Sequence, residues 1–333
     1  MSFHYKSLRA LVLLCLLGVG PVAIAQGFVP FNIGTGTVDQ GTPVQPGGPG
    51  EMVLTPLGPM DGACVHGVPN GAHIHQDGTV TLDDGSVFAQ YQSCAPLGGA
   101  PTSKRGPLDA GTDQTSWVQG SLTNPDGLIE YSIVDSLPAA PYPGYNTLNY
   151  FIWQGIELAN GDYLQPLINY VTNDYQGKCP NGEYCYQINP YFYGNNMHLV
   201  SATEPAFVNP GDYVEFYTYA ISSTEWIFGA YDENSGARVY AYADETWPVG
   251  ASTVYSSAVE WNGTLSCSEL PESLAQVFFN IQVYSGTTGS SGWDAFNGAT
   301  PSWSDHYGWN LGSGVPNCGY GEGQNPSAVY ITW

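Results

Sequence analysis

Short runs of alternating apolar and polar residues recur along most of this chain, with turn sequences between them. In a β-strand successive side chains point to opposite faces, so such alternation is typical of strands with one buried face. Turn sequences such as 209–212 (Asn-Pro-Gly-Asp) and 234–236 (Asn-Ser-Gly) separate the runs. The clearest runs are 128–134, 149–153, 213–219, 225–231, 238–242, 277–284 and 328–333. No amphipathic helical pattern lies between them, so the sequence predicts an all-β sandwich of two antiparallel sheets.

Upstream of this region the pattern changes, so the whole sequence divides into three segments. Residues 1–25 form an export signal, and residues 26–110 are rich in Gly and Pro. Within them, 79–82 and 86–89 are strand-like and flank Asp-Asp-Gly, which predicts a small hairpin unit. The sandwich is then expected over residues 111–333. The linker before it contains Lys104-Arg105, a candidate cut site or a chance solvated pair.

The first 25 residues have the three parts of a signal peptide. Lys6 and Arg9 form a basic start, residues 11–19 are apolar, and Ala23-Ile24-Ala25 supplies a small-x-small cleavage site. The apolar run is shorter than the ~20 residues that a membrane-spanning helix needs. We therefore expect a secreted or periplasmic protein with no membrane association once the signal is removed.

Charge and composition exclude several classes of partner and of fold. The chain has 6 Lys and Arg against 29 Asp and Glu, a formal net charge of −23. Nucleic-acid binding needs clustered cations, so it is excluded as a function. An aromatic content of 14% supplies enough apolar surface to exclude disorder for most of the chain. At neutral pH the excess of carboxylates causes repulsion between like charges. This repulsion is relieved in acid, where carboxylates take up protons.

Cysteine usage fits an exported protein. Without Cys15 of the signal the number of cysteines is even, which indicates disulfides in an oxidising compartment. The sequence contains no Cys-x-x-Cys pair, so disulfides are favoured over a cysteine metal site. Position along the chain favours the pairs Cys64–Cys94, Cys179–Cys185 and Cys267–Cys318.

Motifs of the common hydrolases and of cofactor binding are missing from the sequence. It has no Gly-x-Ser-x-Gly elbow, no His-Glu-x-x-His helix and no phosphate-binding Gly-Lys-Ser/Thr loop. His73 and His75 would share one face of a strand, but two ligands alone do not make a metal site. We expect no metal and no cofactor, which leaves carboxyl and amide side chains for any hydrolytic chemistry.

An ordered set of motifs between about residues 116 and 285 resembles the glutamic peptidase family G1, the eqolisins or scytalidoglutamic peptidases. Residues 151–157 (Phe-Ile-Trp-Gln-Gly-Ile-Glu) with 163–165 (Tyr-Leu-Gln) resemble the family's Trp-x-Gly-Ile-Asp and Leu-Gln segments. Ala258-Val259-Glu260-Trp261 resembles its Glu-Trp motif. Further similarities are 116–120 (Ser-Trp-Val-Gln-Gly), 208–214 (Val-Asn-Pro-Gly-Asp-Tyr-Val) and 277–281 (Val-Phe-Phe-Asn-Ile).

The resemblance implies a concanavalin-A-like jelly-roll fold and an acid-acting, monomeric endopeptidase with polypeptide substrates. Gln165 and Glu260 would then be the catalytic pair, with Trp153, Glu157 and Trp261 binding substrate or supporting the pair. Residues 26–110 would be either a propeptide, trimmed somewhere in 95–115, or a permanent accessory module. Glu157 stands where the family has Asp, and Asn262-Gly263-Thr264 replaces an apolar continuation.

Pro166 also sets the sequence apart from the family, because it removes a ladder donor directly after Gln165. It is expected to bend its strand or to place it at a sheet edge.

Other interpretations of the same residues stay open. Gln165 and Glu260 are also compatible with plain strand positions, and the tryptophans with a core. The same sandwich class hosts non-catalytic lectin-like modules that bind carbohydrate or protein, for which the many Tyr and Trp residues would provide a groove. A glycoside hydrolase would need two flanking acids, and no Glu-x-Asp-x-x-Glu strand motif is present.

Overall fold

The structure is a computed structural model that describes residues 52–55, 58–92, 114–137, 150–172, 179, 184–194, 199–202, 206–246, 250–261, 270–271, 275–285, 310–311, 321–325 and 328–332. In this part of the chain the regular structure is almost all β, with one short 3₁₀ turn at Gly62–Cys64. None of its helices is long and apolar enough to cross a membrane.

The strands are numbered in chain order. The N-terminal region holds β1 (Met52–Thr55), β2 (Gly58–Asp61), β3 (Val65–Val68), β4 (His73–Ile74), β5 (Thr79–Thr81) and β6 (Val87–Gln90). The following strands are β7 (Gln114–Thr123), β8 (Pro125–Ile133), β9 (Tyr150–Glu157), β10 (Tyr163–Gln165), β11 (Leu167–Thr172), β12 (Tyr184–Ile188), β13 (Tyr191–Tyr193), β14 (Leu199–Ala202) and β15 (Ala206–Val208). The remaining strands are β16 (Tyr213–Ala220), β17 (Trp226–Asp232), β18 (Arg238–Ala243), β19 (Ala251–Trp261), β20 (Ala275–Ser285), β21 (Asn310–Leu311), β22 (Gly321–Asn325) and β23 (Ala328–Thr332).

Two large sheets contain all of these strands except the β1–β2 pair. The first sheet runs β15-β12-β11-β9-β10-β13-β14-β3, with β19 on the other side of β9 and then β7 and β21. The second runs β22-β23-β20-β8-β16-β17-β18-β4-β5-β6. All described pairs are antiparallel except β3 with β14 and β4 with β18, so the predicted all-β sandwich of two mostly antiparallel sheets is confirmed.

A single apolar layer lies between the two sheets, and strand alternation builds it. On β9 Ile152 and Ile156 face this layer, and on β16 and β17 Phe216 and Phe228 face it from the other sheet. All four side chains are fully buried. Burying a side chain of this kind stabilises the fold by about 1.5–3 kcal/mol. The opposite face of β9, turned away from this layer, holds every candidate site residue of that strand.

The N-terminal strands join the edges of both sheets. The predicted hairpin is present as β5 and β6, with Gly85 at a φ of 78° in its turn. Strand β3 pairs with β14 in the first sheet, and β4 pairs with β18 in the second. Val68, Ala72 and Ile74 belong to the apolar layer between the sheets. We call residues 58–92 the N-terminal unit, and these three residues tie it to the sandwich core.

The cysteine predictions are confirmed as far as the described residues reach. Cys179 and Cys185 form a disulfide with a Cα–Cα distance of 5.5 Å. Cys64 is also disulfide-bonded. Its predicted partner Cys94, and the predicted pair Cys267–Cys318, lie outside the described residues.

Candidate active site

The outer face of β9 is the centre of the candidate site. Phe151, Trp153, Gly155 and Glu157 alternate with the core-facing isoleucines and therefore turn outward. Trp153 is 1% exposed and belongs to a second apolar cluster on this face. That cluster also includes Val65, Phe151, Leu167, Cys185, Tyr191, Tyr193, Tyr255 and Ala258. The side chains of this cluster are thus buried.

Gln165 reaches this outer face through an interrupted strand. Pro166 separates β10 from β11, and both strands pair with β9, through Leu164 opposite Ile156 and Leu167 opposite Trp153. Leu164 and Leu167 are three residues apart, and so are their partners Ile156 and Trp153 on β9. The alternation of side chains therefore continues across the proline. Gln165 therefore lies level with Gly155 on the outer face. Pro166 interrupts the strand, and β10 and β11 are both interior with neighbours on both sides, so the alternative of a sheet edge is wrong.

The amide of Gln165 is buried. The side chain is 1% exposed, and within the described part of the chain its Oε1 accepts no hydrogen bond. A buried carbonyl oxygen without a donor is costly unless a ligand or water supplies one. The Nε1 of Trp153 is also buried, and it has no hydrogen-bond acceptor among the described residues.

Glu260 reaches the outer face because β19 contains a bulge. Tyr255 lies opposite Gly155 and Ala258 opposite Trp153, so three steps on β19 match two on β9. The extra residue reverses the alternation after Ser257, which has a φ of 54°. Without the bulge Glu260 would face the core. With it, Glu260 lies opposite Phe151 and is 1% exposed.

Gln165 and Glu260 thus lie on one face, on the two strands that flank β9. Their positions differ by four residues along β9, about 13 Å at about 3.3 Å per residue. Trp153 lies midway between them. The two residues therefore lie one on each side of the Trp153 position on β9, and their side chains would have to extend toward it to meet.

Tyr163 is a site residue that the sequence did not single out. Its hydroxyl lies over Gly155, and its ring packs edge-on against Trp153 and Tyr255, with centroid distances of 6.2 and 5.7 Å. Burial and then the nearby Tyr255, Glu157, Tyr193 and Glu260 raise the pKa of Tyr163 well above its ordinary value. The phenol stays protonated and can donate a hydrogen bond. A tyrosine two residues before Gln165 is the signal that could have indicated it.

The two remaining residues that the resemblance indicated are placed as follows. Glu157 accepts a hydrogen bond from the Tyr255 hydroxyl at 2.9 Å, at the end of β9. Trp261 ends β19 opposite Tyr150, and its side chain lies outside the described residues. Glu157 is thereby held on the outer face, beside the aromatic cluster.

Glu130 is a second residue that the sequence did not indicate. It projects from β8 in the other sheet and is fully buried, and it accepts hydrogen bonds from Ser256 and Ser257. Burial raises the pKa of Glu130 to about 8, although these hydrogen bonds lower it. The carboxyl is therefore neutral in acid.

No group of three or more His, Cys, Asp and Glu side chains that could hold a metal occurs among the described residues. The histidines considered for metal binding contact carboxylates. Nδ1 of His73 lies 2.6 Å from Glu225, and Nδ1 of His75 lies 2.5 Å from Asp244. They link the N-terminal unit to the second sheet.

Comparison with known proteins returned similarities of structure alone. No model of a known protein family and no curated protein sequence matches the chain. A crystal structure of scytalidoglutamic peptidase with a peptide-based transition-state analogue has a TM-score of 0.39 at 16% identity. SCP-B, a member of the eqolisin family, in a complex with the tripeptide Ala-Ile-His, has a TM-score of 0.39 at 14% identity.

Each of these two matches covers 67% of this chain and 100% of the peptidase. An alginate lyase from Klebsiella pneumoniae has a TM-score of 0.31 at 10% identity, over 49% of this chain and 61% of the lyase. At these scores the comparison assigns neither a family nor an activity to the chain.

Proposed function

We propose that this protein is an exported endopeptidase that hydrolyses polypeptides in acid, with Glu260 and Gln165 as its catalytic residues. One observation carries the proposal: the β19 bulge and the β9–β10 register turn both residues to the same outer face. Both are buried there, each two residues along β9 from the level of Trp153. A buried carboxyl and a buried amide on one face are the two groups that metal-independent peptide hydrolysis needs.

The chemistry divides between the two side chains. The Glu260 carboxylate accepts a proton from a water that attacks the peptide carbonyl, and it returns this proton to the leaving nitrogen. The Gln165 amide donates a hydrogen bond to the oxyanion that develops on the carbonyl. Because Trp153 lies between them, the scissile bond would lie over the indole ring. Tyr163, protonated and adjacent, supplies a further donor at this place.

The acidic composition supports the choice of acid as the working condition. Three carboxyls outside the proposed pair, the buried Glu130 and Glu245 and the half-buried Glu215, have pKa values raised by loss of solvent to about 8, 9 and 7. These groups are neutral in acid and become charged only as the pH rises through about 7–9. The fold is thereby best suited to the pH at which most other carboxylates are also protonated.

The test is cleavage of a denatured protein by the purified chain at about pH 2–4, where a carboxyl-based mechanism holds the protons it needs. Cleavage should persist with chelators and with serine-directed reagents. Glu260→Gln should lower kcat by about 10²–10⁴, and Gln165→Ala by about 10²–10³. Glu225→Gln, a carboxyl that contacts His73 at the N-terminal unit, is the matched control and should retain full activity. Full activity of Glu260→Gln would exclude the proposed mechanism.

A further inference from the structure

The β19 bulge is held by a carboxyl from the opposite sheet. Strand β8 lies in the second sheet, and its even-numbered residues face the apolar layer, with Glu130 opposite Phe216. The carboxyl of Glu130 crosses this layer to the bulge. Contact between β8 and β19 across the sandwich is part of the packing of the two sheets.

Glu130 contacts the bulge at three donors. The backbone N–H of Ser257 donates to its Oε2 at 3.0 Å and lies 3.2 Å from its Oε1. The hydroxyls of Ser256 and Ser257 lie 2.5 and 3.3 Å from Oε2. A bulge leaves one residue outside the ladder, and the unpaired Ser257 N–H would be a costly buried donor without such an acceptor.

The conformation of Ser257 shows why an acceptor is needed here. Its φ of 54° lies in the left-handed region, which a non-glycine residue adopts at a cost of order 1–3 kcal/mol. The Glu130 hydrogen bonds offset this cost. A hydrogen bond of this kind contributes about 0.5–1.5 kcal/mol.

Glu260 depends on this bulge for its orientation. Val254 and Val259 both face the apolar layer although they are five residues apart, an odd spacing that unbroken alternation forbids. The extra residue lets Tyr255, Ala258 and Glu260 share the outer face. A β19 strand without the bulge would turn Glu260 into the core and Val259 outward.

We propose that Glu130 is a positioning residue for Glu260: it clamps the Ser256–Ser257 bulge and thereby keeps the Glu260 carboxyl on the outer face. Glu130 itself touches no reacting atom, because it lies on the core side of the sheet. Its effect on catalysis passes entirely through the backbone of β19. This inference rests on the proposed function, since it assigns Glu260 a part in the reaction.

The experiment compares Glu130→Met, which keeps the length of the side chain but has no strong acceptor, with Glu130→Gln, which keeps an acceptor. Glu130→Met should lower kcat for a peptide substrate at least tenfold while KM stays within about twofold. Glu130→Gln should restore kcat to within about threefold of the wild type. Amide hydrogen exchange in residues 254–260 should be at least tenfold faster in Glu130→Met and near normal in Glu130→Gln.

Glu215→Met is the matched control, because Glu215 lies on the adjacent strand β16, opposite Tyr131 and away from the bulge. It should change neither kcat nor exchange in residues 254–260. If Glu130→Met does not fold, Ser256→Ala removes a single hydroxyl donor and should still lower kcat about threefold or more. Normal kcat in folded Glu130→Met, or an equal loss in the Glu215 control, would overturn the positioning role.

The exchange rates separate this inference from the proposed function. A wild-type protein that cleaves no peptide refutes the proposed function, and the catalytic part of the inference with it. Unchanged exchange in residues 254–260 of Glu130→Met overturns the clamp, whether or not the wild type is active.

Discussion

Tyr163 lies directly over Gly155, so close that a Cβ added at residue 155 would stand 2.6 Å from the tyrosine hydroxyl oxygen. The same Cβ would stand 3.0 Å from the carbonyl oxygen of Leu164. Glycine is required here by space, since no positive φ is involved. The Tyr163 ring can therefore cross β9 and reach the edge of Trp153.

Gly155→Ala is expected to displace Tyr163 and to destabilise the protein by about 1–3 kcal/mol, as overpacking of a close contact usually does. Urea unfolding measures this change. The double variant Gly155→Ala with Tyr163→Ala should show a smaller added cost, because the obstructing ring is gone. Equal costs of the glycine substitution with and without Tyr163 would contradict the contact.

Local alternation is enough to predict most of the strands. The run 213–219 is found as β16 (Tyr213–Ala220), and 238–242 as β18 (Arg238–Ala243). The 277–284 run is found as β20, two residues longer at its start. These strands pair with sequence neighbours or carry a clear apolar face, so the local pattern contains the needed information.

The direction in which β8 faces could not be predicted in the same way. On the chain, Ile129, Tyr131 and Ile133 form the more apolar face, so Glu130 would be expected to turn toward solvent. The structure turns it inward, because the acceptor it provides is needed by a bulge in another sheet. That requirement comes from Ser257, which is far from β8 in sequence, so the alternation within β8 cannot indicate it.

The sheet edges that the N-terminal strands join could not be predicted either. Strand β3 pairs with β14 and β4 with β18 in parallel ladders. A parallel partner lies far along the chain, and nothing in a short strand specifies it. The candidate pair Gln165 and Glu260 was found through motif resemblance, but the bulge that aligns them was not visible in the pattern.

Stability is expected to fall as the pH rises from acid toward neutrality. Burial raises the pKa values of Glu130, Glu215 and Glu245 from an ordinary 4.5 to about 8, 7 and 9. At pH values between 4.5 and these raised pKa values, the folded state holds protons that the unfolded state has released. The free energy of unfolding therefore falls with each unit by which the pH rises. Calorimetry should show Tm at least about 5 °C lower at pH 8 than at pH 4.5. A Tm that rises over this range would contradict the prediction.

Glu245→Gln should reduce that dependence on pH. The Glu245 carboxyl accepts a hydrogen bond from Asn160 at 2.9 Å and shares a further one with Asp162, which also raises its pKa. Glutamine keeps the size and the hydrogen-bonding capacity but cannot ionise. The difference in Tm between pH 4.5 and pH 8 should therefore be smaller in the variant than in the wild type, and an equal difference would exclude Glu245 as a cause.

His73 is expected to stabilise the attachment of the N-terminal unit in a pH-dependent way. A hydrogen bond with Glu225 is the main cause that raises the pKa of His73, and burial opposes it. A raised histidine pKa gives stability that is complete below about 6.5 and is lost as the pH rises through the folded value. A double-mutant cycle of His73→Phe and Glu225→Gln should give a coupling of about 1 kcal/mol at pH 5 and almost none at pH 8.5. Equal coupling at both pH values would contradict the charge-dependent pair.

Cutting the linker should leave the N-terminal unit bound. Trypsin cleaves after Lys104 or Arg105, between the unit and the sandwich. Because β3 and β4 are hydrogen-bonded into the two sheets, and Val68 belongs to the shared core, the cut removes no contact that holds the unit. Size-exclusion chromatography of the nicked protein at pH 5, with a reductant so that no disulfide between the two pieces can retain the fragment, should elute both pieces together. Mass spectrometry of that peak identifies them. A separate peak for residues 58–92 under conditions in which the larger piece stays folded would mean that the unit is a removable segment, as a propeptide would be.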